Sequence, residues 1–322
     1  MTICLKIQQV ITKKWEELCM EYVLQTNGLT KMFGKKAAVN NVSLSVRKGD
    51  IYGFIGKNGA GKTTLIRVVS GLAKPSGGSI KLFESEDLGS QRRKTGTMIE
   101  NPAVYPNLTA KQNLYYYCRL LGLEPKDNID EMLALVGLGD TGKKKAKNFS
   151  LGMKQRLAIA VSLLDNPEFL MLDEPINGLD PSGIKEIREL ILRLNKERNI
   201  TILISSHILG ELSKIANRYG VINNGLLVDE FTNQDLESRC NGELEIKVDN
   251  AEKAGDILVK LLGQGNFGIF DNNTIRTRDL DKAGLIITEL AQNGVIVSGS
   301  TIIGQDLEGY FMQLMNRSDF NM

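Results

Sequence analysis

A glycine-rich stretch near the start of the chain, GKNGAGKTT, has the residue types and spacing of a phosphate-binding loop. Four of its residues satisfy the pattern G-x-x-x-x-G-K-S/T, in which small residues let backbone N–H groups surround phosphate oxygens at a helix N-terminus. We expect Lys62 to reach the β and γ phosphates, the Thr63 hydroxyl to bind Mg²⁺, and Thr64 to lie near the α phosphate. The predicted phosphate-binding residues are Gly56, Lys57, Asn58, Gly59, Ala60, Gly61, Lys62, Thr63 and Thr64.

A pair of acids, Asp173 and Glu174, follows the apolar run FLML at residues 169–172. Asp173 could bind Mg²⁺ directly or through a water molecule, and Glu174 could polarise a water molecule for attack on a γ phosphate. Alone, the pair would be assigned to a solvated turn before Pro175. The phosphate loop upstream favours the catalytic interpretation.

The stretch TILISSHILGEL contains His207, the only histidine in the chain. A single histidine is usually an ordinary core or surface residue. Its position directly after an apolar run is the reason to consider it together with the acid pair.

Alternating and continuous apolar segments indicate how these residues are positioned. The segment DIYGFIG before the loop predicts a buried strand, and Leu65, Ile66, Val69 and Leu72 predict a helix after it. The run before Asp173 predicts a second buried parallel strand. Ligands of open α/β sheets collect at the carboxyl ends of strands, so the acids and the loop should meet in one crevice.

A third stretch, FSLGMKQR, resembles the signature motif of the ATP-binding cassette (ABC) ATPases, usually written LSGGQ. Leu151 replaces the first glycine and Met153 the glutamine, whereas Ser150 and Gly152 are kept. The resemblance implies that the Ser150 hydroxyl and the Gly152 N–H reach a γ phosphate. Helix capping by Ser150 would account for the stretch without it.

Other cassette motifs follow in the order of that family over residues 22 to about 235. Phe33 matches the aromatic residue that stacks on adenine, although a core phenylalanine at a strand end is the alternative. Asp180 in NGLDP resembles the loop that communicates between two protomers. His207 matches the switch histidine and is expected to contact the γ phosphate, with Glu174 as the base.

Glu100 stands where most cassettes have a glutamine that links Mg²⁺ and the lytic water to the membrane partner. This glutamate, together with SLGM in the signature, resembles the bacitracin-resistance and lantibiotic-immunity group of exporter ATPases. The resemblance implies a catalytic role for Glu100 and a metal site of Thr63, Glu100 and Asp173. A surface acid at a strand end is the alternative.

The resemblance implies a P-loop NTPase of the α/β class over residues 20–235, with a parallel-sheet core, an N-terminal antiparallel β part and a helical subdomain at about 101–160. It also implies ATP and Mg²⁺ as cofactors, a head-to-tail homodimer, and integral-membrane permease subunits that place the chain on the cytoplasmic face of a bacterial cell membrane. Exporting peptide antibiotics is the expected function. The alternatives are export of another substrate, a soluble ABC ATPase acting on ribosomes or DNA, and an unrelated P-loop regulator.

Composition agrees with this expectation. The 322 residues carry a net charge near +2, so no chain-wide basic field points to nucleic acid. The four cysteines form no C-x-x-C motif, which fits neither a zinc site nor a disulfide framework. No apolar run approaches the roughly 18 residues of a membrane span, so a membrane crossing would need another chain.

Two further segments are set apart by their patterns. Residues 1–19 are predicted to be translated leader sequence, with Met20 as the true start. The codons for Trp15, Glu16 and Glu17 must be rich in purines, and a purine-rich stretch shortly before a start codon resembles a bacterial ribosome-binding site. Residues 236–322 contain a weak internal repeat of strand, helix and strand, which predicts a small ferredoxin-like α+β domain for partner contact or regulation. The three consecutive tyrosines at 115–117 are expected to pack mainly into the core.

Overall fold

The computed structural model describes residues 21–100, 103–124, 129–240, 242–270, 273–303 and 309–311. The chain divides into two compact units, the first ending at Asn233 and the second beginning at Gln234. The predicted leader at residues 1–19 lies outside the described residues.

The first unit combines two sheets with helices. Its strands are β1 (Tyr22–Phe33), β2 (Lys36–Val42), β3 (Ser45–Arg47), β4 (Ile51–Ile55), β5 (Gly77–Leu82), β6 (Thr95–Met98), β7 (Phe169–Asp173), β8 (Thr201–Ser206), β9 (Arg218–Asn223) and β10 (Leu226–Thr232). Its helices are α1 (Lys62–Val69), α2 (Leu88–Gln91), α3 (Ala110–Leu120), α4 (Ile129–Leu135), α5 (Leu151–Ser162), α6 (Pro181–Arg198) and α7 (Leu209–Leu212).

The central sheet has six strands in the order β10-β9-β4-β8-β7-β6, and all but its edge strand β10 run parallel to their neighbours. Every residue of β4, β7 and β8 is buried, which explains why these strands are continuous apolar runs in the sequence. A separate antiparallel sheet contains β2, β1 and β3, with β5 paired to β1.

Local sequence sets the ends of the helices. Thr109 and Gln112 form a reciprocal capping box at the start of α3. Ser150 caps α5 by accepting a hydrogen bond from the Met153 N–H at 3.2 Å. Asp180 caps α6, and the helix ends at Asn199 in a left-handed conformation at φ 52°. The polar residues of the signature and of NGLDP therefore stand at helix starts.

The expectation that the tyrosines at 115–117 pack mainly into the core is wrong. Tyr115 and Tyr116 are each 39% exposed on α3. The apolar face of α3 is instead supplied by Ala110, Leu114 and Cys118, which are spaced at helical intervals and buried.

The described part of the second unit contains a four-stranded antiparallel sheet and two α-helices that alternate with its strands, and these follow a first α-helix. Its elements are α8 (Asn233–Cys240), which spans the division, β11 (Glu243–Val248), α9 (Ala251–Leu262), β12 (Phe267–Phe270), β13 (Thr274–Thr277), α10 (Ala283–Gln292) and β14 (Val297–Ile303). The strand order β12-β13-β11-β14 and the β-α-β repeat are those of a ferredoxin-like fold. Leu244, Ile246, Leu258, Ile286 and Leu290 are among its buried core residues.

The predicted fold class is confirmed: a mainly parallel central sheet is accompanied by an N-terminal antiparallel part and a C-terminal α+β unit. Within the part of the chain that the structure describes, none of the helices is both long and apolar enough to cross a membrane.

Candidate active site

The glycine-rich loop connects β4 to α1 at the carboxyl edge of the central sheet. A Cβ at Gly56 would collide with the backbone oxygen of Ile222, and one at Gly61 with the backbone oxygen of Ala38. Gly61 also has φ of 115°, which side chains rarely adopt. Both glycines are therefore required by close backbone approach, and they leave the first N–H groups of α1 available for phosphate oxygens.

Lys62 lies inside this loop and is only 5% exposed. Its ammonium donates to the backbone oxygens of Gly56 at 2.5 Å and Lys57 at 3.2 Å. A buried ammonium held by carbonyl groups is a positive charge fixed where the loop surrounds a phosphate.

Thr63 and Asp173 meet across the crevice. The Thr63 hydroxyl donates to Oδ2 of Asp173 at 2.7 Å, and the Ser205 hydroxyl donates to Oδ1 of the same carboxylate at 2.6 Å. Asp173 is 1% exposed, so these hydrogen bonds compensate its burial. The two residues bring together the hydroxyl and carboxylate oxygens that Mg²⁺ prefers, and a site with few protein ligands suits a metal that is also bound by substrate phosphates.

Glu174 lies between two nitrogen-bearing side chains. Its Oε2 is 2.9 Å from Nδ1 of His207, and its Oε1 is 3.1 Å from Nζ of Lys62. The Lys62 contact has the distance of an ion pair without the alignment of a hydrogen bond. Glu174 has φ of 48°, an unfavourable value for a residue other than glycine, and its N–H donates to the Ser205 hydroxyl at 3.0 Å. Backbone and side chain are thus both fixed at this position.

A cavity of about 380 Å³ opens in front of these groups. Phe33 borders it and is 55% exposed, which leaves its ring available to a base. The Lys31 ammonium lies 5.0 Å from the centroid of that ring and donates to the Lys74 oxygen at 2.8 Å. The lining residues are Phe33, Lys36, Ala37, Ala38, Asn58, Gly59, Gly61, Lys62, Thr63, Thr64, Glu174, Asn224 and Gly225.

The remaining loop residues, Lys57 and Ala60, support the loop through their backbones. The Ala60 N–H donates to the Lys57 oxygen at 3.1 Å, and the Ala60 oxygen accepts from the Gly225 N–H at 2.8 Å. The segment after β9 is thereby tied to the phosphate loop.

Glu100 lies apart from the Thr63–Asp173 pair with which it was predicted to bind metal. Its Oε1 is 2.6 Å from Nη2 of Arg67, and its side chain is 59% exposed. The ion pair therefore satisfies the carboxylate on the surface of α1, and a role for Glu100 at the metal remains a prediction.

Ser150 and Gly152 are not among the residues that line the cavity of their own chain. The Cβ position of Gly152 lies 3.8 Å from the Leu179 side chain, so the start of α5 adjoins the loop before α6. At the end of this loop the Ser182 hydroxyl donates to Asp180 at 2.6 Å and lowers the pKa of that carboxyl. The signature and the Asp180 loop form one surface.

Sequence reasoning missed Ser205 and Arg67, which contact predicted site residues, and also the cavity-lining residues Lys36, Ala37, Ala38, Asn224 and Gly225. Ser205 hydrogen-bonds both Asp173 and the Glu174 backbone, and a signal for it existed, since two small polar residues, Ser205 and Ser206, end an apolar strand directly before His207. Arg67, the partner of Glu100, gave no such signal because a basic residue in the last turn of a helix is ordinary.

The arrangement combines a phosphate loop, a hydroxyl and carboxylate suited to Mg²⁺, and a second carboxylate placed to accept a proton from water. Fold and site together define a P-loop nucleoside triphosphatase cassette.

Comparisons with known proteins identify the family. A family model described as ABC transporter matches residues 39–177. The uncharacterized ABC transporter ATP-binding protein YcbN of Bacillus subtilis is 43% identical over 92% of this chain and 98% of its own length. The bacitracin transport ATP-binding protein BcrA of Bacillus licheniformis is 42% identical over the same shares. The lantibiotic transport ATP-binding protein SrtF of Streptococcus pyogenes is 42% identical over 69% of this chain and 97% of its own length.

Solved structures show the same cassette fold. The ADP conformation of an ATP-binding cassette of an ABC transporter matches with a TM-score of 0.60 at 26% identity, covering 68% of this chain and 94% of that one. A dimeric bacterial ABC transporter cassette matches with a TM-score of 0.57 at 24% identity, covering 65% of this chain and 98% of that one.

The chain belongs to the ABC transporter family and is an ATPase. The resemblance to the bacitracin and lantibiotic group, inferred from Glu100 and the SLGM signature, is confirmed by the identities to these two relatives.

Proposed function

We propose that the chain is the ATP-hydrolysing subunit of a membrane exporter for peptide antibiotics, and that it acts as a homodimer held by permease subunits at the cytoplasmic face of the cell membrane. The observation that carries this proposal is the placement of Glu174 between Lys62 and His207, at the opening of the phosphate loop.

In the proposed reaction, ATP lies in the cavity with its phosphates on the loop and its base against Phe33. Mg²⁺, held by Thr63 and Asp173, would supply positive charge to the phosphate oxygens. A water oxygen bonds to the γ phosphorus, its proton passes to Glu174, and the bond from the γ phosphorus to the bridging oxygen breaks, giving ADP and phosphate. His207 holds the γ phosphate and orients Glu174.

Dimer formation is supported by the location of Ser150 and Gly152. These residues lie on a surface with the Asp180 loop and not in the cavity of their own chain. In a head-to-tail pair they would complete the partner's site, so each ATP would join two chains.

A mixing experiment tests the composite site. Lys62→Ala removes the loop cation, and Gly152→Asp places a negative charge in the signature, so either homodimer has two defective sites. A heterodimer of the two variants restores one complete site, and ATPase activity should return on mixing. Activity absent from the mixture, with ATP binding to Gly152→Asp intact, would contradict the composite site.

Contact with a membrane subunit is supported by an aromatic surface formed by tyrosines that follow Glu100 in the chain. The rings of Tyr105 and Tyr116 lie 4.3 Å apart at an interplanar angle of 65°, and the Tyr117 hydroxyl donates to the Ala103 oxygen at 2.5 Å. The hydrogen bond with Tyr116 raises the pKa of Tyr105 to about 12. Leu120 and Leu121 are also exposed, so an apolar partner helix could bind here.

The proposed substrate class comes from the relatives named for bacitracin and lantibiotic transport. SrtF is matched over 97% of its length by 226 residues, so it is too short to hold both a cassette and the second unit. BcrA matches 92% of this chain, which supports the bacitracin type more strongly.

The exporter proposal is tested by expressing the chain with the membrane proteins encoded beside its gene in a sensitive bacterium. Co-purification of a polytopic membrane protein and a raised minimum inhibitory concentration of bacitracin are expected, and Glu174→Gln should abolish the resistance while keeping the co-purification. Association with ribosomes or DNA in place of a membrane protein would contradict the proposal. Co-purification without resistance to bacitracin or a lantibiotic would support an exporter of another substrate.

A further inference from the structure

We propose that Arg67 is a positioning residue for Glu100: it holds the Glu100 carboxylate on α1 until divalent metal and nucleotide bind, and Glu100 then exchanges Arg67 for the metal. This inference rests on the proposed function, because it requires the Thr63–Asp173 metal site. It concerns a contact between two side chains, and Arg67 has no part in the family motifs described above.

The Arg67–Glu100 ion pair lies about one helical turn from the residue of α1 that belongs to the metal site. Arg67 follows Thr63 by four residues on α1, so both side chains project from the same face of the helix, separated by about one turn of 5.4 Å. Glu100 bonds the Arg67 guanidinium at 2.6 Å. A displacement of about one helical turn along α1 would bring its carboxylate to Thr63.

The register of the central sheet relates Glu100 to the strand that carries the acid pair. Met98 on β6 pairs with Leu172 on β7. Two residues further along each chain stand Glu100 and Glu174, directly after the strand ends. Glu100 and Glu174 therefore both follow strands that end at the same, carboxyl edge of the sheet.

The charges at this edge of the sheet favour a cation beside Glu100. Asp173 is compensated by two hydroxyl groups, and Glu174 contacts Lys62 and His207. A third carboxylate at this edge adds repulsion unless a cation accompanies it. Arg67 supplies that cation. The glutamate and its arginine thus form a functional pair.

The Arg67–Glu100 pair is an exposed and therefore weak ion pair. Arg67 is 42% and Glu100 59% exposed, so the contact is screened by water and salt. Surface pairs of this kind change an equilibrium by a factor of about two to five. The interaction is strong enough to favour one position of Glu100 and weak enough for a divalent cation to replace it.

The test measures binding of Mn²⁺ to the full chain by electron paramagnetic resonance of the free ion, with the non-hydrolysable analogue AMP-PNP present and at about 0.15 M salt. Arg67→Gln should increase the affinity for Mn²⁺ by about two- to fivefold, because Glu100 no longer has a competing partner. Arg67→Lys, which keeps the charge, should restore most of the wild-type affinity.

The decisive comparison repeats Arg67→Gln in a Glu100→Gln background. There the substitution should change Mn²⁺ affinity much less, since no carboxylate remains to be released. If Arg67→Gln changed the Mn²⁺ affinity equally in both backgrounds, Arg67 would act only by long-range charge, and the proposal would be overturned. The proposal would also be overturned if Arg67→Gln left the Mn²⁺ affinity unchanged in the chain that keeps Glu100.

Lys111→Gln is the matched control, because it removes another exposed ion pair, with Asp130 at 2.7 Å, and should leave Mn²⁺ affinity unchanged. All variants should unfold thermally within a few degrees of the wild type, as expected for exposed pairs. Failure of the proposed function has a different signature: AMP-PNP would then fail to promote Mn²⁺ binding in the wild type itself.

Discussion

Oε2 of Glu174 lies 2.9 Å from Nδ1 of His207, although the two residues are separated by 33 positions in the chain. They meet because Asp173 at the end of β7 pairs with Ser205 on β8, which places the residues following each strand side by side. The single histidine of the chain therefore lies within hydrogen-bonding distance of the proposed base. Since Glu174 is positioned to take the proton, His207 is better suited to orienting it and the γ phosphate.

Glu174→Gln should retain ATP binding and lose hydrolysis by about 10²- to 10⁴-fold, because an amide keeps the shape of the side chain but cannot take a proton. The variant should accumulate as an ATP-bound dimer, detected by size-exclusion chromatography with ATP and Mg²⁺. Glu189→Gln, an exposed glutamate on α6, is the control and should behave as wild type. Wild-type turnover by Glu174→Gln would remove the residue from the role of base.

His207→Ala should impair hydrolysis while ATP binding persists, because the phosphate loop and Phe33 are untouched. The reason is the loss of a side chain that contacts Glu174 and, in the proposed reaction, holds the γ phosphate. Turnover and ATP affinity measured on the same preparation separate these effects. Unchanged turnover would make His207 an ordinary structural residue.

Phe33→Ala should weaken ATP binding by about tenfold, since stacking of a base on an aromatic ring contributes roughly 1–3 kcal/mol. Binding of inorganic triphosphate, which has no base, should be unaffected, and Phe33→Trp should preserve ATP affinity. Met32→Ala is a matched control on the same strand, because Met32 is 37% exposed but does not line the cavity. Equal losses for ATP and inorganic triphosphate would show that Phe33 shapes the loop without contacting the base.

The parts of the site that the sequence predicted are those fixed by local backbone geometry. Gly56 and Gly61 are required by close contacts with Ile222 and Ala38, and such requirements leave a recognisable motif. The apolar runs of β7 and β8 are equally local, because strands buried on both faces must be apolar throughout.

The parts that sequence reasoning missed depend on pairings between distant segments. Arg67 and Glu100 come together only because β6 pairs with β7, against which α1 packs, and neither residue signals the other. The placement of Glu100 away from Thr63 follows from that pairing. The exposure of Tyr115 and Tyr116 was missed for a similar reason: which face of α3 is buried depends on its tertiary neighbours, and Leu114 and Cys118 occupy it.

Ser205→Ala tests the residue that joins the metal site to the base. The substitution leaves the buried Asp173 carboxylate with one hydroxyl partner fewer and removes a hydrogen bond to the Glu174 N–H. Since loss of a partner to a buried charged group costs about 1–3 kcal/mol, the thermal unfolding temperature should fall by several degrees. The Mg²⁺ concentration for half-maximal ATPase activity should rise as well, because Asp173 is less firmly oriented.

Ser206→Ala is the matched control: Ser206 is equally buried, but its hydroxyl accepts from the Ile208 N–H at 3.0 Å and does not contact Asp173. If both variants lose stability but only Ser205→Ala changes the Mg²⁺ dependence, Ser205 orients the metal-binding carboxylate. Identical Mg²⁺ dependence in the two variants would limit Ser205 to a structural role.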